Sequence, residues 1–427
     1  MKIKLIIAGI FCFSFFLSCN ESTKDVAIPS PENSAFISDI IKLSKEEYYD
    51  KVLGALVGSA IGDAMGASTE MWHRSEIQLK YGYINGLTPA TREQSPEGTW
   101  DHNLLAGATT DDTRWKYFMV KYFSSTQGDL NPENFSKFIT DYYASLTKEL
   151  GSDEVSRNPD LLDNQIEKVD WIKEWARVSL AYQNGGKAYQ KAQNRFYGGE
   201  MSCAGQLYTP MFGLLTSTPD EAYNMAYEHS IFDIGYAKDI SGLVAAMTQT
   251  AMRTKNIDSI LNTAVFVDPL GYKSSRLVTR ISQNVLDSSR RTVLVSRKLS
   301  AENDSIITAI PKGYPQTKQA WIQQDYLYSF LDNDKKAIAF HAGEIWQIMV
   351  TAIDYGQGDF QKTMQFIVNY GRDNDTVAAV AGMILGAKDG YNNLPEDLKT
   401  NVLKVSKENM GINLEALATE MTNNLYH

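Results

Sequence analysis

Glycines at strict four-residue intervals limit the fold of this chain more than any other feature. Gly54, Gly58, Gly62 and Gly66 form one such run, and Ala378, Gly382, Gly386 and Gly390 repeat the spacing near the other end. Residues four apart lie on one face of a helix. A glycine inside a helix costs about 1 kcal/mol relative to alanine, so a repeated glycine needs a compensating gain. Close approach of two backbones is that gain. Both segments therefore read as tightly packed core helices, and attention passes to the polar residues at their ends.

From about Ser44 to the end the pattern is helical almost throughout. Asn131 followed by Pro132 opens one helix as cap and first turn. Thr218-Pro219-Asp220-Glu221 opens another in capping-box form. Residues 338–353 and 360–370 repeat apolar side chains at steps of three and four. Period-two alternation is scarce, residues 257–333 are harder to read, and 306–315 reads as an irregular loop. With no tandem repeat, a single all-α domain over residues 44–427 is the simplest account.

The first residues read as a processing signal. Lys2 and Lys4 precede an apolar or small run from 5 to 17, which ends in Ser18-Cys19. A charged start, a short apolar run and a small residue before the cut define a secretory signal, and the run is too short to span a bilayer. Ser18-Cys19 resembles a bacterial lipobox. Residues 1–18 are then a lipoprotein signal peptide, Cys19 is the lipidated N-terminus, and residues 19–43 form a tether poor in large apolar side chains. The expected location is the cell envelope, lipid-anchored and exported from the cytoplasm. Processing removes Cys12 and uses Cys19, so only Cys203 remains of the three cysteines and an intramolecular disulfide is excluded. The net charge of −10 argues against nonspecific binding to nucleic acid or anionic lipid. The expected membrane contact is the N-terminal lipid alone.

Three acidic clusters flank the glycine helices: Gly62-Asp63-Ala64-Met65-Gly66 with Glu70 beyond it, Thr109-Thr110-Asp111-Asp112-Thr113, and Gly371-Arg372-Asp373-Asn374-Asp375-Thr376. The second and third precede apolar-periodic helices, where the helix dipole favours negative charge. Adjacent carboxylates repel unless a proton or a cation intervenes. Hydroxyl and carboxylate oxygens without His or Cys suit a hard ion such as Mg²⁺, Ca²⁺ or Mn²⁺. Taken singly, Asp-Asp-Thr is a common helix cap; the joint pattern is far more specific.

That joint pattern resembles the ADP-ribosylglycohydrolase family. Residues 54–70 look like its opening small-residue helix, Gly-Asp-x-x-Gly and following Glu. Thr110 to Thr113 matches its Thr-Asp-Asp-Thr, and 371–376 is similar to its Gly-Gly-Asp-Thr-Asp-Thr. The resemblance implies an all-α orthogonal bundle with a metal-lined cleft and two divalent ions, expected to be Mg²⁺. Thr110, Asp111 and Asp112 would ligate one ion, and Asp373, Asp375 and Thr376 the other. Glu70 and Asp112 would serve catalysis. Asp63, inside the glycine helix, suits a buried hydrogen-bonding role instead. The implied reaction is hydrolysis of an N- or O-glycosidic bond of ADP-ribosyl type, on a small-molecule or protein-linked substrate.

The departures bear on the substrate pocket. Arg372 and Asn374 replace Gly and Thr of the third motif, and Arg372 is expected to add positive charge beside the ions. The family's middle Asn-Gly-x-x-Met-Arg-x-x-Pro stretch is matched only loosely by residues 197–205, with Pro210 later. His229 or Asp233 would fill the place of a substrate contact. Trp72, Trp100 and Trp115 lie near the motifs, more in keeping with core or rim packing than with stacking on adenine. Export would separate the protein from cytosolic targets, so glycosides derived from glycans or nucleosides are an alternative substrate class. A non-catalytic binding or structural member of the fold is a second alternative, against which the retained carboxylates weigh. Trp115 stands where a prenyl-synthase Asp-Asp-x-x-Asp would end, and the chain holds no His-Asp dipeptide for a phosphohydrolase of that type.

Overall fold

Ser44 starts the first helix, Lys45–Gly66, through a reciprocal capping box: its hydroxyl accepts from Glu47 N at 3.1 Å, and the Glu47 carboxylate accepts from Ser44 N at 2.9 Å. The computed structural model describes residues 43–91, 103–126, 128–300 and 309–426. The signal segment, Cys19, the tether up to residue 42 and Trp100 lie outside the described residues.

The glycine spacing has the expected consequence. The Lys45–Gly66 and Asn374–Asp389 helices run antiparallel with their backbones in contact. A Cβ at Gly54 would stand 2.5 Å from the Gly386 carbonyl oxygen, one at Gly58 2.4 Å from that of Gly382, and one at Gly62 2.1 Å from that of Ala378. At the far end, a Cβ on Gly66 would meet Asp375 Cα at 2.4 Å. Every residue from Asn374 to Lys388 is buried. A helix buried on all sides belongs at the centre of a core, and the amphipathic helices pack around this pair.

Seventeen α-helices make up most of the described chain. Asn131 caps Pro132–Leu150 by accepting from Asn134 N at 2.8 Å, and Thr218 with Glu221 forms the capping box of Pro219–His229. The hard-to-read region resolves into Ile257–Phe266, Ile281–Ser296 and Lys318–Asp332. Between the first two, an irregular connection is pinned by a buried ion pair: Arg280 donates to Asp239 at 2.6 and 2.9 Å. A strand ladder of two residues each, Ala90–Thr91 with Asn103–Leu104, is the regular β pairing among the described residues. No helix among them is long and apolar enough to cross a membrane.

Candidate metal centre

The glycine pair fixes where the acidic clusters meet. Its antiparallel contact sets the C-terminal end of one helix against the N-terminal end of the other. Asp63, fully buried one turn before Gly66, takes charge of the second cluster. Its Oδ1 accepts from Thr110 N and Thr110 Oγ1, both at 2.9 Å, and its Oδ2 from Thr113 N at 3.0 Å and Thr113 Oγ1 at 2.6 Å. Thr110 is the N-cap of Asp111–Ser125 but makes no side-chain cap bond. Asp63 supplies that cap from another helix, holding the orphan amides of the first turn. The threonines of Thr-Asp-Asp-Thr thus face Asp63.

The third cluster is held by backbone. Gly371 has φ +85°, and a Cβ there would meet the Trp72 carbonyl oxygen at 2.3 Å, so only glycine fits. Met71 N donates to Arg372 O at 2.7 Å and Arg372 N to Trp72 O at 2.8 Å. These two bonds dock the turn bearing Glu70 onto the turn bearing Asp373. As a result Glu70, Asp373 and Asp375 each present an oxygen within 4.8 Å of the others, with Glu70 half-buried and both aspartates buried. Thr110 Oγ1 lies 3.3 Å from Asp375 Oδ2, which joins the second cluster to the third.

A residue that the motifs did not flag, Lys116, lies beside Asp112. Asp112, 1% exposed, has Lys116 Nζ 3.4 Å from its Oδ1, and its Oδ2 accepts from Thr376 Oγ1 at 3.1 Å. Lys116 is itself only 1% exposed. It sits four residues after Asp112, amid Trp115, Phe118 and Met119. A lysine on an apolar stripe one turn after an acid was the available signal. Asp111 is half-buried beside Asp112. Cys203, also unflagged, lies with its Sγ 3.7 Å from Asp373 Oδ2.

Burial is the main force on these acids. It pushes the Asp63 carboxyl up to about 7, with repulsion from Asp112 and Asp375 adding to the rise. It raises Asp112 to about 6, held back by the Lys116 charge. Asp373 goes well above the usual carboxylate range, through burial first and then Asp375 and Asp112. Crowded, desolvated carboxylates of this kind hold protons unless a cation neutralises them. The Cys203 thiol is raised too, by burial first. The donors available as anions are therefore oxygens, and the set fits a hard divalent ion.

Arg372, Asn374, His229 and Asp233 each have partners outside the acidic cluster. Arg372, at φ +66°, is engaged chiefly by Glu344, at 2.5 and 3.0 Å, and by the Lys336 carbonyl at 2.9 Å. Asn374 donates to Thr69 Oγ1 and Val368 O at 2.8 and 3.0 Å, tying the same turn to the first motif. His229, a candidate substrate contact, has its ring enclosed by other side chains. It is fully buried, with Nδ1 2.7 Å from Met225 O, Nε2 3.2 Å from the Tyr122 hydroxyl and the Phe212 ring tilted against it at 4.5 Å; burial lowers it to about 4. Asp233, the other candidate, is also buried. At 1% exposure it accepts from Gly205 N at 2.8 Å and Ser241 Oγ at 2.6 Å, fastening the short 3-10 turns around Cys203 to the Ala237–Ala251 helix. Trp115 is core, packed on Trp175, Tyr208 and Trp171 at 4.5, 5.1 and 5.5 Å. Trp72 is rim, with the Lys80 ammonium 4.8 Å over its ring.

Comparison with known proteins agrees with this architecture. The chain is 21% identical over 379 residues to the uncharacterized protein YegU of Escherichia coli (strain K12), covering 86% of this chain and 96% of that protein. Its fold superposes on a solved ADP-ribosylglycohydrolase-related protein complex with a TM-score of 0.52 at 17% identity, covering 89% of this chain and 99% of the other. The model of the ADP-ribosylglycohydrolase family matches residues 44–426, the whole helical body, and the chain belongs to that family.

Proposed function

We propose that this protein hydrolyses an ADP-ribosyl-type glycosidic bond at the acidic centre, using divalent ions expected to be Mg²⁺. The observation that carries the proposal is the convergence of Glu70, Asp373 and Asp375 within 4.8 Å, across 303 residues of sequence from Glu70 to Asp373. Asp373 and Asp375 would hold one ion with Glu70 at its side. Thr110, Asp111 and Asp112 would hold a second, with Thr376 between the two sets through its bond to Asp112. When bound, such ions supply Lewis acidity toward a ribose diol and toward water.

The chain's own residues would do the rest. Hydrolysis at an anomeric carbon builds positive charge on the sugar ring, and the surrounding carboxylates favour that charge. Glu70, half-buried on a turn and not on a helix, would take a proton from the attacking water and return one to the leaving group. Asp63 would hold Thr110 and Thr113 in register and stay out of the reaction. The proposed place of action is the envelope, reached through the signal and Cys19. There a soluble or surface-linked ADP-ribosyl group is the substrate favoured by family membership.

The test is a hydrolysis screen with added Mg²⁺ over arginine- and serine-linked ADP-ribosyl compounds, nucleosides and aryl glycosides. Release of ADP-ribose that EDTA abolishes and Asp375→Asn removes is the expected result. Cleavage of nucleosides or aryl glycosides alone would move the substrate class. Absence of EDTA-sensitive cleavage of any of them would favour a binding member of the fold.

A further inference from the structure

Lys116 is a fully desolvated cation at the edge of an anionic centre, and the reading above gives it no task. We infer that it makes the two cation positions unequal, leaving a tight one at Glu70, Asp373 and Asp375 and a weak one on the Asp112 side. The inference rests on the metal reading of the site and deepens it.

The geometry is one-sided. The ammonium lies 3.4 Å from Asp112 Oδ1, while Thr376 Oγ1 already donates to Oδ2 of the same carboxylate at 3.1 Å. A cation arriving beside Asp112 meets a positive charge 3.4 Å from one carboxylate oxygen, while the other oxygen already accepts from a hydroxyl. Charges that close interact strongly where water is excluded. Two further basic side chains lie near the centre: Arg114 interacts with Asp111 and Asp63, on the Asp112 side, and Arg372 is engaged chiefly by Glu344. The ammonium thus acts as a built-in monovalent counter-ion for Asp112. The Asp112 position then fills only at high ion concentration, or when a diphosphate-bearing substrate brings negative charge of its own.

A merely structural Lys116 would stabilise the fold without touching the ion count. Mn²⁺ alone separates the two roles, by calorimetric titration and electron paramagnetic resonance of the full chain. The parent should bind a first Mn²⁺ tightly and a second at least ~100-fold more weakly. A spin-coupled dinuclear spectrum should appear only at high Mn²⁺. In Lys116→Met the gap should close to within ~10-fold, with the coupled spectrum appearing as the second equivalent is added. Mn²⁺ should also raise the melting temperature more than in the parent, because removing one partner leaves the Asp112 charge uncompensated. Two sites of equal affinity in the parent would overturn the inference while leaving the metal centre standing, and so would an unchanged gap in Lys116→Met. If that variant does not fold, Lys116→Gln carries the comparison, and the parent titration decides by itself. No Mn²⁺ binding at all would overturn the metal centre and this inference together.

Discussion

Gly58→Ala puts the helix-pair argument at risk, because two effects of opposite sign compete. By helix propensity alone the substitution stabilises, by about 1 kcal/mol. By packing it destabilises. The added Cβ would stand 2.4 Å from the Gly382 carbonyl oxygen and 3.1 Å from Gly386 Cα. Ordinary contact begins a full ångström farther out, so the two backbones must part by roughly 1 Å. The obstructing atom is backbone, so no side-chain rotation relieves it. Overpacking of a well-filled core costs about 1–3 kcal/mol, and here the upper end applies, since parting the helices also loosens the Gly54 and Gly62 contacts. The net expectation is a loss of about 2 kcal/mol after the propensity gain is subtracted. Urea denaturation measures it, with Gly151→Ala as control: a Cβ there meets only the Lys148 carbonyl, at 3.6 Å. Because the same pair aligns Glu70 with Asp373 and Asp375, Mg²⁺ affinity should fall with stability. A Gly58→Ala protein as stable as the parent, or more so, would show that these backbones are not held in contact and that the glycines serve some other purpose.

Three further outcomes follow from the same structure. Glu70→Gln should fold, retain ion binding and lose at least ~100-fold in single-turnover rate if Glu70 does acid–base work; a near-parental rate with ions bound would reassign the residue. His229 is held neutral, its folded pKa depressed from 6.5 to about 4. Its contribution is therefore present above pH 6.5 and lost as pH falls toward 4, on the order of 3 kcal/mol. His229→Phe should accordingly show a shallower fall in unfolding free energy between pH 7 and pH 4.5, and an unchanged slope would refute the assignment. Cys19→Ala should release the protein from the membrane fraction, and unchanged membrane association would sink the lipid-anchor proposal.

What the sequence made legible was whatever repeats at short range. The glycine interval, the Asn131 and Thr218 caps and the three acidic motifs each encode a local geometry, and each is found where its pattern points. What stayed hidden depends on partners far along the chain. His229 sits at a site-like position in sequence, yet Tyr122 and Phe212 enclose it. Arg372 lies inside an acidic motif, yet its φ of +66° sends the guanidinium to Glu344. Residues 257–333 were hard to read because a buried Arg280–Asp239 pair, and not an apolar stripe, holds their irregular connection. Lys116 was legible in principle, but an isolated i, i+4 acid–lysine pair is ordinarily an exposed pair worth little, and only burial gives this one weight.

The arrangement also bears on why the carboxylates tolerate one another. Asp63, Asp112 and Asp373 all lie at or near a helix N-terminus or are bound to one, where amide dipoles offset part of their charge. Asp63 goes furthest, with four donors from a single helix start. Those bonds would hold a carboxylate in its charged form, yet burial and neighbouring acids still raise it to about 7. The dipoles and donors are therefore insufficient on their own, and the remaining charge is met by a proton or a cation. Lys116 supplies one at Asp112. At Glu70, Asp373 and Asp375 a divalent ion is the counterpart that oxygen donors at that spacing would select.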